Sequence, residues 1–163
     1  MSEVHPDDFK GALGSWASGV TVVTTRHEGM VYGITVSSFS SLSLDPTLVL
    51  VCLQNSNKLA QMVQASRKFA ISILADGQRD VAAWFSKSGR DAVPSFEEFG
   101  TIEWHTGSPI IAGSVAHLDC ELHEAIVGGD HTIAVGSVVG AAFAPSLKPL
   151  VYFRRDYRPL VMD

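Results

Sequence analysis

The chain has 163 residues, of which 46% are hydrophobic and 18% charged; that is the make-up of one globular domain, 1–163, burying about two-thirds of the surface its unfolded form exposes. A formal net charge of −5 argues against a broad phosphate-binding face, so no nucleic acid partner is expected. No apolar run approaches the roughly 20 residues needed to cross a bilayer, and the first residues are acidic and polar rather than a secretory leader.

Pro6, Asp7 and Asp8 open a short helix, with acids at its positive end and Gly19 near its exit. Phe9, Leu13 and Trp16 recur at i, i+4 and i+7 and make one apolar face. Residues 20–26, VTVVTTR, form a β-branched strand, and a hairpin turn at His27, Glu28 and Gly29 leads to a second strand over 30–36. That strand enters a serine-rich bend (Ser37, Ser38, Ser40, Ser41 and Ser43), which turns at Asp45 and Pro46. A third strand over 47–53 is apolar on both faces and is expected at the centre of the sheet. Asn55, Ser56 and Asn57 signal the start of a helix over 58–66. A strand over 68–75 and a helix over 77–87 come next. Residues 88–109 show no sustained period and read as an irregular excursion pinned by Trp104. Strands over 114–126 and 131–144 flank a turn at Gly128, Gly129 and Asp130, and a strand over 149–154 closes the chain.

Six or seven strands, hairpin signals in both halves and two or three short helices predict a mainly β antiparallel barrel, whose closure removes exposed edges. Strands and helices do not alternate, and there is no GxGxxG, which excludes a parallel dinucleotide-binding sheet. Cys52 and Cys120 lie in apolar strands and read as reduced thiols, so the cytoplasm is the expected location.

No serine sits in a G-x-S-x-G elbow, which disfavours a nucleophilic hydrolase. His117, Asp119 and His123 share one strand face. Six residues of strand hold the two histidines more than roughly 19 Å apart, so no metal site is expected there and the three read as polar positions on the outer face of the barrel. His131 stands at a strand mouth after a tight turn, placed either to donate a hydrogen bond or proton near neutral pH or simply to meet solvent. Tyr152, Arg154 and Arg155 fit either a solvated edge or an anion clamp. Asn55, Ser56, Asn57 and Lys58 gather amides, a hydroxyl and a cation at a helix start, where an anion is favoured. Trp84, Phe85, Ser86 and Lys87 add aromatic surface and a cation at a helix end.

Taken in order, GVTVVT at 19–24, GITVSSFSSLSLDP at 33–46, GDHT at 129–132 and PLVYFR at 149–154 resemble the flavin reductase-like family of FMN-binding split barrels. Within it the chain is most similar to the small reductase components of two-component flavin-dependent monooxygenases. The similarity runs from residue 9 to residue 157, and the serine motif with its spacing to GDH is the specific part. Thr47, where many members carry a second proline, departs from the pattern. The resemblance implies a six-stranded antiparallel Greek-key split barrel, a homodimer, and a groove near the dimer interface for FMN or FAD. It also implies NADH or NADPH as hydride donor and an oxygenase component that receives the reduced flavin. By the same resemblance Thr35, Val36, Ser37 and Ser38 line the ring and ribityl chain, and Leu53, Gln54 and Asn55 run along the ring by their backbone. Ser56, Asn57 and Lys58 approach the phosphate, and Phe85 closes over the cofactor. His131 is the candidate catalytic residue on the nicotinamide side, with Tyr152 and Arg154 toward the nicotinamide dinucleotide. A non-enzymatic flavin-binding protein and a pyridoxamine-phosphate-oxidase-like flavoprotein are the alternatives on the same fold.

Overall fold

The computed structural model describes residues 4–161; what the sequence reading says of residues 1–3 and of the last two lies outside the described residues. The chain opens with α1 (Pro6–Gly14), β1 (Ser18–Gly19), β2 (Thr21–His27), β3 (Met30–Val36), β4 (Phe39–Leu44) and β5 (Thr47–Gln54). It continues through α2 (Lys58–Ser66), β6 (Lys68–Ile73), a 3₁₀ turn at Asp76–Gln78 and α3 (Arg79–Phe85). Two short strands, β7 (Ile102–Glu103) and β8 (Pro109–Ile110), precede the long pair β9 (Ala116–Gly128) and β10 (His131–Phe143). The chain ends in a hairpin of β11 (Leu150–Phe153) and β12 (Asp156–Pro159).

Seven strands make one antiparallel sheet in the order β3-β2-β6-β9-β10-β5-β4. Its two edge strands are consecutive in the chain and joined by Ser37 and Ser38 alone. So short a link spans at most about 11 Å, so the sheet must curl until its edges meet. The result is a barrel split between β3 and β4, with Ser37 and Ser38 crossing the split. Leu59, Ala60 and Val63 of α2 fill the interior against Val23, Val36, Val51, Leu53, Phe69 and Ile71. A second core lies on the other face of β2 and β3, where Val20, Val22 and Val31 meet Ala82 and Phe85 of α3 together with Phe96 and Ile111. Strand β2 is covered on both sides, which is why its β-branched run is buried from Thr21 to Thr25. Its threonines are accommodated because their hydroxyls donate to backbone carbonyls, Thr21 to Val36 at 2.7 Å and Thr25 to Lys68 at 2.7 Å.

Several expectations are corrected. The serine-rich bend is strand β4: Ser40 and Ser41 pair with Leu50 and Val49, and an edge strand lets the hydroxyls face solvent. Strand β5 lies next to that edge rather than at the centre. Val49, Val51 and Leu53 point inward, while Leu48, Leu50 and Cys52 stay half-exposed. Apolar residues on both faces reported a second face in need of cover, not a central place. The excursion over 88–109 carries structure of its own, a bridge from Val31 to Val93 and the β7–β8 hairpin. Asp119 is not on the outer face. It is fully buried and accepts hydrogen bonds from the backbone N–H of Thr106, at 2.9 Å, and from the Thr106 hydroxyl. The main sheet has seven strands, within the six or seven read from the residues and one more than the resemblance implies, and β12 was not foreseen. No helix among the described residues is long and apolar enough to cross a membrane.

Candidate active site

The split is held open and in register by side chains on both of its banks. At the end of β3 the Thr35 hydroxyl donates to the carbonyl of Ala82, 2.7 Å away on α3. Two residues earlier the Gly33 carbonyl accepts from Arg90 Nη2 at 2.7 Å, and the same nitrogen reaches the carbonyl of Phe85 at 3.0 Å. The Arg90 guanidinium lies 4.3 Å from the Trp84 ring centre and 5.4 Å from those of Tyr32 and Phe85. Burial pulls its pKa below the ordinary arginine value, and this aromatic and carbonyl cage is what retains the charge. Arg90→Met is expected to lower stability by about 2 kcal/mol, the scale of lost charge-assisted hydrogen bonds, read as a lower urea midpoint. An unchanged midpoint would mean that the cage carries no load.

On the other bank Ser38 is locked onto β5. Its hydroxyl donates to the carbonyl of Cys52 at 2.9 Å and accepts from the Cys52 N–H at 3.3 Å. Gln54 lies two residues further on, roughly 7 Å along the strand, and is the cross-strand partner of His131. The tight turn before His131 uses the left-handed conformation of Gly129, at φ +68°. That turn is stitched to the end of β5. Asn55 N–H donates to the Asp130 carbonyl at 2.9 Å, Asn55 Nδ2 to the Gly129 carbonyl at 3.2 Å, and the Thr132 hydroxyl to Asn55 Oδ1 at 2.7 Å. The His131 side chain is 43% exposed, with Nδ1 2.7 Å from Asp130 Oδ1. The hydrogen bond with His131, reinforced by its charge, holds the Asp130 carboxyl below the usual range.

Beside Ser37, on the α3 bank, lies a cleft of about 330 Å³ lined by Val20, Thr35, Ser37, Ser86, Tyr152, Arg155 and Tyr157. The rings of Tyr152 and Tyr157 are 5.4 Å apart and tilted by 55°. Burial, and then the neighbouring Tyr152, push the Tyr157 phenol above its ordinary pKa, so it remains a neutral hydroxyl. Hydroxyls around an aromatic wall suit a planar ring system with polar edges.

The remaining sequence-predicted residues fall as follows. Val36 and Leu53 are buried, so their side chains belong to the core, and the Val36 carbonyl already accepts the Thr21 hydroxyl. Asn57 caps α2 by accepting from the Leu59 N–H at 2.8 Å. Ser56 is exposed, and Lys58 pairs with Asp91 at 3.1 Å. Phe85 is fully buried, its ring 4.7 Å from Trp84, 5.1 Å from Phe96 and 5.0 Å from Phe99. It therefore sits in the aromatic core, and the residue this helix end shows to the cleft is Ser86. Arg154 is exposed at the tip of the last hairpin. Tyr157 and Arg90 were missed, the first because β12 was not foreseen and the second because its segment has no period. The two-residue turn at Arg154 and Arg155 sets Tyr157 across from Tyr152, but arginine is not a turn former, so the local sequence carried no signal for it.

A family model described as the flavin reductase like domain matches residues 13–161. The chain is 36% identical over 161 residues to the reductase subunit of a flavin-dependent monooxygenase of Mycobacterium tuberculosis, covering 96% of this chain and 83% of that one. It is 38% identical over 153 residues to the reductase component of 4-hydroxyphenylacetate 3-monooxygenase of Thermus thermophilus, covering 94% and 95%. The fold matches the NADH:FAD oxidoreductase of Streptomyces globisporus, solved in complex with NAD and FAD fragments, with a TM-score of 0.90, 34% identity and coverage of 100% and 99%. The chain belongs to the flavin reductase-like domain family.

Proposed function

We propose that this protein reduces a flavin (FMN, FAD or riboflavin) with NADH or NADPH and supplies the reduced flavin to an oxygenase component. Its relatives are named as reductase components of monooxygenases and as an NADH:FAD oxidoreductase, and the observation that supports the reading most is the split itself. Folding sets Thr35 and Ser37 on the α3 side of the split and bonds Ser38 to Cys52 on β5, while His131 stands at the mouth of β10, the strand beyond β5, opposite Gln54. The residues fit a flavin. Thr35, Ser37 and Ser86 offer hydroxyls to polar ring edges, and Tyr152 and Tyr157 offer aromatic surface. Bound flavin supplies the two-electron acceptor for a nicotinamide hydride, so the protein needs no acid–base pair of its own.

What the chain contributes is orientation and charge complementarity. In this reading Thr35, Val36, Ser37 and Ser38 flank the ring and ribityl chain, the Thr35 hydroxyl oxygen as an acceptor, since its proton goes to the Ala82 carbonyl, and Val36 as packed support. Leu53, Gln54 and Asn55 present backbone along it. Ser56, the amides that Asn57 leaves at the start of α2, and Lys58 meet the phosphate. The Lys58–Asp91 pair is exposed on its acidic side, and such pairs are worth so little that a phosphate displaces the carboxylate readily. His131 faces the nicotinamide, steadied by Asp130. Steady-state oxidation of NADH and NADPH against FMN, FAD and riboflavin tests the assignment. Flavin-dependent loss of absorbance at 340 nm is expected; a yellow protein that oxidises neither nucleotide would be a flavin carrier instead.

The same reading includes a homodimer in a reducing cytoplasm. Cys52, Ile133 and Ile126 stand in register across β5, β10 and β9, with Leu50 beside Cys52. Leu44 and Phe143 are 91% and 78% exposed. A second copy would cover this face. Light scattering should give twice 17.5 kDa, and a monomer at micromolar concentration would refute it. Cys52 and Cys120 are both free, and burial pushes the Cys120 thiol up to about 12, which suits a thiol kept for packing.

A further inference from the structure

The two walls of the cleft beside Ser37 are built to different strengths. Thr35 and Ser86 stand on the firm one, where β3 and α3 are tied by the Thr35–Ala82 bond and by Arg90 on the Gly33 and Phe85 carbonyls. The facing wall is the terminal hairpin, which supplies Tyr152, Arg155 and Tyr157. Strand β11 is its fixed half. It pairs with β1, its Leu150 is buried, and the Leu150 N–H donates to the Leu74 carbonyl at 2.9 Å.

Strand β12 is the loose half. It is the outer edge of a three-stranded sheet and pairs with β11 only. Among the described residues one ion pair ties it to another element: Asp156 accepts from Arg79 Nη2, 2.9 Å away at the start of α3. The same guanidinium lies 5.8 Å from the Tyr157 ring centre. Asp156 is also 3.3 Å from Arg158 Nε, but that arginine belongs to β12 itself. The side chains of Arg79 and Asp156 are 61% and 41% exposed. An exposed pair shifts an equilibrium by about fivefold at most, so it holds the strand without locking it.

Two further features make β12 easy to lift. Tyr157 has open space on both sides, the cleft on one and a hollow of about 370 Å³ beside Arg79 and Arg158 on the other. A side chain in a close-packed core has no such room. The turn that joins β11 to β12 is Arg154 and Arg155, both left-handed, with φ of 49° and 62°. Asparagine and glycine suit such a turn, because a larger side chain crowds the backbone there. Opening the hairpin relieves that crowding.

We infer that β12 is the flap through which flavin enters and leaves the cleft, and that Arg79 and Asp156 are the clasp that sets how often it opens. The inference rests on the flavin reductase reading and deepens it. A reduced flavin supplied to a second protein must leave at every turnover, and release past a moving element sets the pace of many enzymes. Neither Arg79 nor Asp156 lines the cleft; both are positioning residues that act through Tyr157.

The test is stopped-flow binding of riboflavin, which carries no phosphate for salt to screen, to wild type, Arg79→Gln, Asp156→Asn and Arg158→Gln. In the first two variants the association and dissociation rate constants should rise together, by about threefold to fivefold, with the dissociation constant within about twofold of wild type. A flap is crossed in both directions, whereas a mere wall contact would raise the dissociation rate alone and weaken binding. Arg158→Gln should change neither rate, because its ion pair lies within one strand. The gap between the clasp variants and wild type should close in about 1 M sodium chloride, where the Debye length is about 3 Å. A rise in the dissociation rate alone, no rise at all, an equal rise in Arg158→Gln, or a gap that survives the salt overturns the inference. Wild-type protein that oxidises no NADH with any flavin would defeat the reductase reading alone. Amide hydrogen exchange over 156–158 in the unliganded chain then decides on the flap, supported if Arg79→Gln and Asp156→Asn speed it by about threefold or more and overturned if they do not.

Discussion

Replacing His131 by alanine is expected to lower kcat/KM for NADH by at least about tenfold, roughly 1.4 kcal/mol of lost transition-state stabilisation, while the dissociation constant for flavin stays within about twofold. The imidazole is the one titratable side chain that the fold sets at the mouth of β10 in register with Gln54, and its Nδ1 is taken up by Asp130. Nε2 is left to face a reactant. Removing a preorganised donor from a site where charge develops costs a hundredfold or more in enclosed sites, and partial exposure of this ring sets the smaller figure. The backbone of the turn is held by Asn55 and Thr132 and not by the imidazole, so the fold and the flavin wall should survive the change. Asp130→Asn should produce a milder loss, because the ring keeps its place but loses its charged brace. The brace is intact near neutrality: a carboxyl with a depressed pKa stays charged above the ordinary aspartate value and is lost as the pH falls through the depressed one. Stopped-flow NADH oxidation alongside a flavin fluorescence titration separates the two quantities. Equal loss of both, or of neither, would remove His131 from the hydride step.

The parts of this site legible in the sequence are those set by short-range chemistry. The GDH turn, the cap at Asn57 and the strand 30–36 each depend on a few adjacent residues, and each appears where its pattern put it. What a single sequence does not carry is which elements become edges. The serines at 40 and 41 look like a bend because serine is a common turn residue, yet pairing with β5 makes them a strand. Likewise β5 looked central because nothing in its own residues says what covers Leu48, Leu50 and Cys52. Phe85 looked like a lid because an aromatic residue near a helix end is ambiguous until its neighbours are known. Phe96 and Phe99 lie in the segment that showed no period, and they draw its ring into the core. The terminal hairpin was hidden for the opposite reason. Its turn residues, Arg154 and Arg155, are not ones that favour a turn, so the local signal contradicted the structure where the structure is strained.

The largest loss of stability is expected away from the seam, at Gly136 in the middle of β10. An added Cβ would lie 2.5 Å from Phe69 Cζ, 3.1 Å from Phe69 Cε1 and 3.0 Å from Cys120 Cβ. None of these atoms can retreat, since Phe69 and Cys120 are fully buried partners on β6 and β9. The backbone is also constrained, because the β9–β10 register shifts between Val135 and Gly136. Gly136→Ala should therefore cost about 3 kcal/mol, the upper end for one methyl forced into a packed core, or a fall in melting temperature of roughly 6–12 °C for a chain of this size. Phe69→Leu removes the ring that the new methyl strikes. The double variant should consequently be more stable than the sum of the two single losses predicts, by about 1 kcal/mol or more. Strict additivity would show that the methyl is accommodated by a shift of the strand instead. Activity distinguishes the two routes as well: His131 is five residues away, roughly 17 Å along the strand, and is held by its own bonds to β5. If the clash stays between Gly136 and Phe69, kcat measured well below the melting point remains near wild type even as the melting temperature falls. If β10 slides, the Asn55 bonds break, and kcat falls with stability.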